Sequence, residues 1–152
     1  MNQRIMMIGP VGHGKTSLIQ ALETKTQEYN KTQDIIYSGK FIDTPGEFVQ
    51  HRHFNNALQV TSQDASLLCF VLDARSKEQI FSPNYAQSFN KPVIGIVTHI
   101  DVASDEEIIN AENELIKAGT GKVFKISTVT GEGVQKIKSL FNSRGIETNS
   151  II

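Results

Sequence analysis

Gly9-Pro10-Val11-Gly12-His13-Gly14-Lys15-Thr16 limits what this chain can fold into more than any other stretch. It fits G-x-x-x-x-G-K-[ST], a phosphate-binding loop that joins a strand to a helix. The flanking glycines Gly9 and Gly14, with Gly12, let the backbone curl until successive N–H groups point inward at phosphate oxygens. Lys15 adds a point charge for the outer phosphates, and Thr16 offers a hydroxyl to Mg²⁺. The helix that follows favours anions at its N-terminus. The candidate nucleotide contacts are therefore Gly9, Val11, Gly12, His13, Gly14, Lys15, Thr16 and Ser17. A glycine-rich turn that only caps a helix is the plainer alternative. The flanks speak against it: Arg4-Ile5-Met6-Met7-Ile8 reads as a buried strand, and Ser17-Leu18-Ile19-Gln20-Ala21-Leu22 as a helix.

A length of 152 residues suits one nucleotide-binding domain over 1–152, with a frayed tail at 146–152. The formal net charge is −1, and no Lys/Arg run stands out. Nucleic acid therefore has no electrostatic footprint to bind. Cys69 is the only cysteine, so no disulfide framework exists. It sits in the apolar run Leu67-Leu68-Cys69-Phe70-Val71-Leu72 and reads as a buried, inert thiol. The N-terminal apolar run is too short for a membrane span and lacks a signal-peptide pattern. These features predict a cytoplasmic protein without a membrane segment.

Apolar segments alternate between strand-like and helix-like patterns. Ile35-Ile36-Tyr37 and Lys40-Phe41-Ile42-Asp43 read as short strands turning at Ser38-Gly39. Ser66 to Asp73, Pro92 to Thr98 and Lys122 to Ser127 read as strands covered on both faces. Ser104-Asp105-Glu106-Glu107 is a capping box. It precedes Ile108, Ile109, Leu115 and Ile116, expected to share one helical face. Val134, Ile137, Leu140 and Phe141 form the stripe of a last helix, ended by Gly145. The alternation predicts an α/β fold with a doubly wound, mostly parallel sheet. Ligands in such sheets sit at the carboxyl ends of the strands.

Three further motifs lie at those ends, and a fourth candidate, Thr32, lies between the first helix and Asp43. Asp43-Thr44-Pro45-Gly46 follows a strand. Asp43 is placed to support the Mg²⁺ shell and Gly46 to offer its N–H to the γ-phosphate; a simple Pro-Gly turn is the alternative. Thr32, in a polar stretch, is either a switch residue closing over Mg²⁺ or an ordinary loop threonine. Thr98-His99-Ile100-Asp101 is similar to N-K-x-D. Asp101 can accept two hydrogen bonds from guanine, whereas adenine would set a lone pair against it. An N-cap or turn carboxylate is the alternative. His99 replaces a lysine, and its imidazole could stack on the base. Ser127 and Thr128 begin a loop where a backbone N–H meets the guanine O6, or where Thr130 merely caps a turn. His51 and His53 have no partner at zinc-site spacing and read as exposed residues. His13 reads as tolerated sequence rather than a proton carrier.

In this order the motifs resemble the Ras-like P-loop GTPases, which implies a P-loop NTPase fold, a Ras-like three-layer sandwich. A closer resemblance is to the ethanolamine-utilisation EutP and propanediol-utilisation PduV family. It is carried by residues 9–16, Tyr29-Asn30-Lys31-Thr32-Gln33, Asp43-Thr44-Pro45-Gly46-Glu47 and Asn90 to Thr98. That resemblance implies a cytosolic protein of bacterial amine or diol catabolism, with a microcompartment shell protein or enzyme as partner. It also implies ATP binding, and an acetate-kinase role has been attributed within the family. Motif chemistry favours GTP.

Two departures from the Ras-like pattern bear on rate. Glu47 stands where a water-orienting glutamine is usual; it is repelled by a triphosphate unless turned away or paired, or it acts as a base. Val11 narrows the space beside the γ-phosphate. Both predict slow hydrolysis, with Lys15 and Glu47 as the candidate catalytic residues. No arginine is placed by motif as a finger; Arg52 and Arg75 stay open. Thr16, Thr32 and Asp43 are the candidate metal residues. The leading reading is a small Mg²⁺-dependent triphosphate-binding protein. The alternatives are an acetate kinase and a non-catalytic switch that binds a partner.

Overall fold

The structure, a computed structural model, describes residues 4–23, 35–38 and 40–143. Six strands form one sheet: β1 (Ile5–Ile8), β2 (Ile36–Ser38), β3 (Phe41–Asp43), β4 (Leu67–Asp73), β5 (Val93–Thr98) and β6 (Val123–Lys125). Their order is β2-β3-β1-β4-β5-β6. β2 runs antiparallel to β3, and the other four pairs are parallel. The helices are α1 (Lys15–Leu22), α2 (Glu47–Gln50), α3 (Asn55–Thr61), α4 (Asp105–Lys117) and α5 (Val134–Ser143).

β1, β4 and β5 read as unbroken apolar runs because both faces are covered, whereas β6 is half-buried and ends at exposed Lys125. Ile5, Met7, Leu67, Cys69, Val71, Ile94 and Ile96 point to one side, against Leu18, Ile19, Ile137 and Phe141 of α1 and α5. Met6, Ile8, Leu68, Phe70, Leu72 and Val97 point to the other, against Leu58, Phe81, Phe89, Ala111 and Leu115. This is the expected three-layer sandwich. Cys69 is fully buried, as its run implied.

One sequence expectation is corrected. α4 carries the full capping box: Ser104 Oγ accepts from the Glu107 N–H at 3.1 Å, and Glu107 Oε1 accepts from the Ser104 N–H at 2.9 Å. Its inward stripe, however, is Ile108, Ala111 and Leu115, continuing to Ala118. Ile109 and Ile116 are each 54% exposed. One helical step of about 100° turns them off the sheet. The small alanines let the helix lie close, where the larger isoleucines suggested a different face.

The crossover from β4 to β5 is assigned no helix by the sequence pattern. It holds only a turn of 3-10 helix at Tyr85–Ser88. The segment is pinned to α4 instead. Glu114 Oε2 accepts from the Ile80 and Phe81 N–H groups at 2.8 and 2.9 Å. Asn84 and Ala86 donate their N–H groups to the carbonyls of Lys117 and Ala118. Aromatic rings fill the space beneath, with Phe70 stacked on Phe81 at 4.5 Å between centroids. Gly39 and Gly145, read as a turn and a helix stop, lie outside the described residues. Among the described residues, no helix is long and apolar enough to cross a membrane.

Candidate functional site

The loop of residues 9–14 rises from the carboxyl end of β1 and enters α1. Gly12 (φ +79°) and Gly14 (φ +97°) adopt the left-handed conformation that other L-residues rarely take. Lys15 is 5% exposed. Its Nζ donates to the carbonyls of Gly9 at 2.7 Å and Pro10 at 3.3 Å, so the loop's own backbone holds the ammonium. Burial lowers its pKa, and the charges of Asp43 and Glu47 oppose that shift.

The Asp43 loop closes on the same place. Thr16 Oγ1 donates to Asp43 Oδ2 at 2.7 Å, joining the first turn of α1 to the end of β3. Thr44 Oγ1 donates to the Met7 carbonyl at 2.8 Å, which fixes the loop to β1. Gly46 packs on the P-loop so tightly that a Cβ there would overlap the Val11 nitrogen. Glu47 follows directly as the first residue of α2. Thr16 and Asp43 thus present two hard oxygen donors side by side, which suits Mg²⁺. Among the described residues, no group of three His, Cys, Asp or Glu side chains gathers for a metal. Mg²⁺ needs none, because it leans on one or two protein oxygens plus phosphates. Thr32 lies outside the described residues.

At the far side of the loop stand the ends of β4 and β5, where Asp73 and Thr98 are in register. Thr98 Oγ1 donates to the His13 carbonyl at 2.7 Å. His13 Nδ1 in turn accepts from the Asp73 N–H at 3.0 Å. His13 therefore ties the loop to two strands, which its sequence context did not reveal. Burial pushes its pKa down to about 4; Asp73 opposes this, and Lys15, His99 and Arg75 reinforce it. At pH 7 the ring is neutral and acts as an acceptor.

Asp73 was missed in the sequence, although its position at the end of an apolar run and two residues before an arginine is a signal. Its carboxylate accepts from Arg75 Nε at 3.0 Å, Arg75 Nη2 at 2.8 Å and the Arg75 N–H at 2.9 Å. His99 Nδ1 lies 3.1 Å from Asp73 Oδ2. Burial would raise the Asp73 pKa, but the Arg75 hydrogen bonds and the neighbouring positive charges win and hold it below the usual carboxylate range. Arg75 is thus engaged with Asp73, and Arg52 is exposed in the turn Arg52–Phe54.

Asp101 is exposed, and the N-cap of α4 is Ser104 three residues on. The capping role weighed for Asp101 therefore belongs to another residue. Beside it, the Ile100 N–H donates to the Ile126 carbonyl at 3.3 Å, bringing the Ser127–Thr128 loop alongside. Ser127 is buried, and its Oγ accepts from the Val129 and Thr130 N–H groups. It shapes its own turn. Thr130 Oγ1 caps only the Glu132 N–H. His51 and His53 are exposed, as expected.

Strand order and loop geometry together define a Ras-like P-loop NTPase fold. The chain belongs to the ethanolamine utilisation–propanediol utilisation family PduV-EutP, whose model matches residues 2–143. It is 39% identical over 142 residues to the propanediol utilization protein PduV of Citrobacter freundii, covering 93% of this chain and 95% of that protein. It is 29% identical over 138 residues to the probable acetate kinase EutP of Escherichia coli strain K12, covering 89% and 86%. Among solved structures it is similar to a bacterial selenocysteine-specific elongation factor, EF-Sec. That match has a TM-score of 0.65 at 25% identity, over 93% of this chain and 28% of that one. Elongation factor SelB of Methanococcus maripaludis, solved with the GTP analogue GPPNHP, shares the fold. It gives a TM-score of 0.63 at 24% identity, over 100% of this chain and 36% of that one.

Proposed function

We propose that this protein binds a guanosine triphosphate with Mg²⁺ and hydrolyses it slowly, in the cytoplasm, in the service of ethanolamine or propanediol utilisation. One observation carries the reading: Thr16 Oγ1 and Asp43 Oδ2 lie 2.7 Å apart beside the buried ammonium of Lys15. A cation and two hard oxygen donors at one helix N-terminus support that reading.

In this reading Lys15 exchanges the carbonyls of Gly9 and Pro10 for phosphate oxygens. Thr16 and Asp43 hold the metal, which when bound neutralises charge building on the phosphates. Gly46 offers its N–H to the outer phosphate, and its contact with Val11 leaves little room there. Glu47 supplies a carboxylate where an uncharged side chain would repel a triphosphate less. Arg75 is occupied by Asp73 and is a poor finger, and fingers contribute about 10³ to 10⁵ in rate. Asp101 reads guanine through two accepted hydrogen bonds, with the Ser127–Thr128 backbone nearby.

Titrating GTP and ATP with Mg²⁺ against wild type, Lys15→Ala and Asp101→Ala tests this. Lys15→Ala should abolish binding of both nucleotides, and Asp101→Ala should lose GTP alone. An ATP preference that ignores Asp101→Ala would reject the base reading. The name of the EutP relatives motivates a second reading, phosphoryl transfer to acetate. Acetyl phosphate formed no faster than by Lys15→Ala rejects it.

A further inference from the structure

We infer that Asp73 and Arg75 are positioning residues that lock His99 against the P-loop as a base-stacking ring indifferent to which purine is bound. The inference rests on the nucleotide reading above and adds residues to it.

The geometry of His99 is fixed from three sides. Its backbone is left-handed, φ +63°, which is uncommon for a residue other than glycine. Strained backbone persists where surrounding structure over-determines it. The ring Cε1 lies 3.5 Å from where a Cβ on Gly14 would sit, so the imidazole rests on the loop itself. Its Nδ1 is 3.1 Å from Asp73 Oδ2 and 3.0 Å from Thr98 Oγ1.

Both of those neighbours are acceptors toward the ring. A carboxylate can only accept. The single hydroxyl hydrogen of Thr98 is already given to the His13 carbonyl at 2.7 Å. Nδ1 must therefore carry a hydrogen. The Arg75 fork spends two side-chain donors and a backbone N–H on the same carboxylate. That fork stops the Asp73 side chain from rotating away from His99. A lysine at position 99 would need no such support, because its stem covers a base by flexible apolar contact. An imidazole covers a base only with its plane held, and Asp73 with Arg75 does the holding. The ring keeps 29% of its side-chain surface exposed.

A base stacked on an aromatic ring gains affinity through a π-face that every purine has. His99→Ala should therefore weaken GTP and ATP about equally, roughly tenfold. Asp101→Ala should discriminate between them. Asp73→Asn and Arg75→Ala should each cost about threefold in wild type and nothing further in a His99→Ala background, because they act through the ring. His99→Phe should recover most of the lost affinity.

The experiment is a double-mutant cycle read by fluorescent GTP and ATP titration with Mg²⁺. Long-range ¹H–¹⁵N NMR of the His99 ring accompanies it. The spectrum should show the Nδ1–H form in wild type and a mixture of tautomers in Asp73→Asn. If buried Asp73→Asn fails to fold, Arg75→Ala carries the cycle alone, since its guanidinium lies at the surface. Additive losses in the cycle, or an Nε2–H ring in wild type, overturn the inference. So does nucleotide binding that needs Lys15 yet ignores His99→Ala, which leaves the nucleotide reading standing. Wild-type protein that binds neither nucleotide overturns both.

Discussion

His13 should make stability depend on pH in a window where most side chains are silent. Its ordinary pKa of 6.5 falls to about 4 in the folded protein, chiefly through burial. Above pH 6.5 neither the folded nor the unfolded state protonates it. Between 6.5 and 4 the unfolded chain takes up a proton that the folded one refuses, so stability falls as pH falls. Below 4 both are protonated and the dependence ends. The full gap corresponds to at most about 3 kcal/mol. The ring keeps part of its surface in water, so about 1–2 kcal/mol is the better expectation. The physical origin is the burial of the ring, whose Nδ1 lone pair meanwhile accepts the Asp73 N–H at 3.0 Å. His13→Asn offers a carbonyl oxygen in much the same place and cannot titrate. Urea unfolding of both proteins at pH 7, 5.5 and 4.5 gives the comparison. Wild type should lose about 1–2 kcal/mol more than the variant between the extremes. Asp73, held below the usual carboxylate range by Arg75, is common to both proteins and cancels in the comparison. Two curves that run parallel across the window would show that the buried ring does not resist protonation.

Substitutions at five other positions probe the frame. Gly46→Ala sets a methyl on the Val11 backbone, which should cost about 2–3 kcal/mol and lower Tm by about 5–10 °C. Glu114→Leu strips the acceptor from two backbone N–H groups; it should cost about 1–3 kcal/mol in urea titration, with Glu114→Gln closer to wild type. Leu115→Ala should cost about 2–5 kcal/mol. Ile109→Gln and Ile116→Gln should stay within about 0.5 kcal/mol by the same assay, because both side chains face solvent.

The parts legible in the sequence were those set by residue type at fixed spacing. A phosphate loop needs glycine, lysine and a hydroxyl at set intervals, so residues 9–16 declared themselves. Strands covered on both faces must be apolar throughout, so β1, β4 and β5 were visible as runs. The capping box of α4 is local chemistry and was read correctly. What stayed hidden depends on contacts distant in the chain. Nothing near Ile80 says that Glu114 will take its N–H. Ala111 was not counted in the apolar stripe, yet its small size is what admits the helix to the sheet. Asp73 looked like the polar end of a strand. Its role appears only once Thr98, from the neighbouring strand, and His13, from the loop, are set beside it. His13 itself read as incidental because a bond to a backbone N–H 60 residues away leaves no local trace.

The segment between β4 and β5 leaves the ribosome before the helix that pins its backbone. Ile80 precedes its acceptor, Glu114, by 34 residues. At about 5–20 residues per second, synthesis leaves it unanchored for roughly 2–7 seconds. Throughout that interval Phe81 and Phe89 have no layer above them. The nascent chain therefore carries an aromatic surface in search of cover, and it is α4, arriving late and already capped at Ser104, that shuts it away.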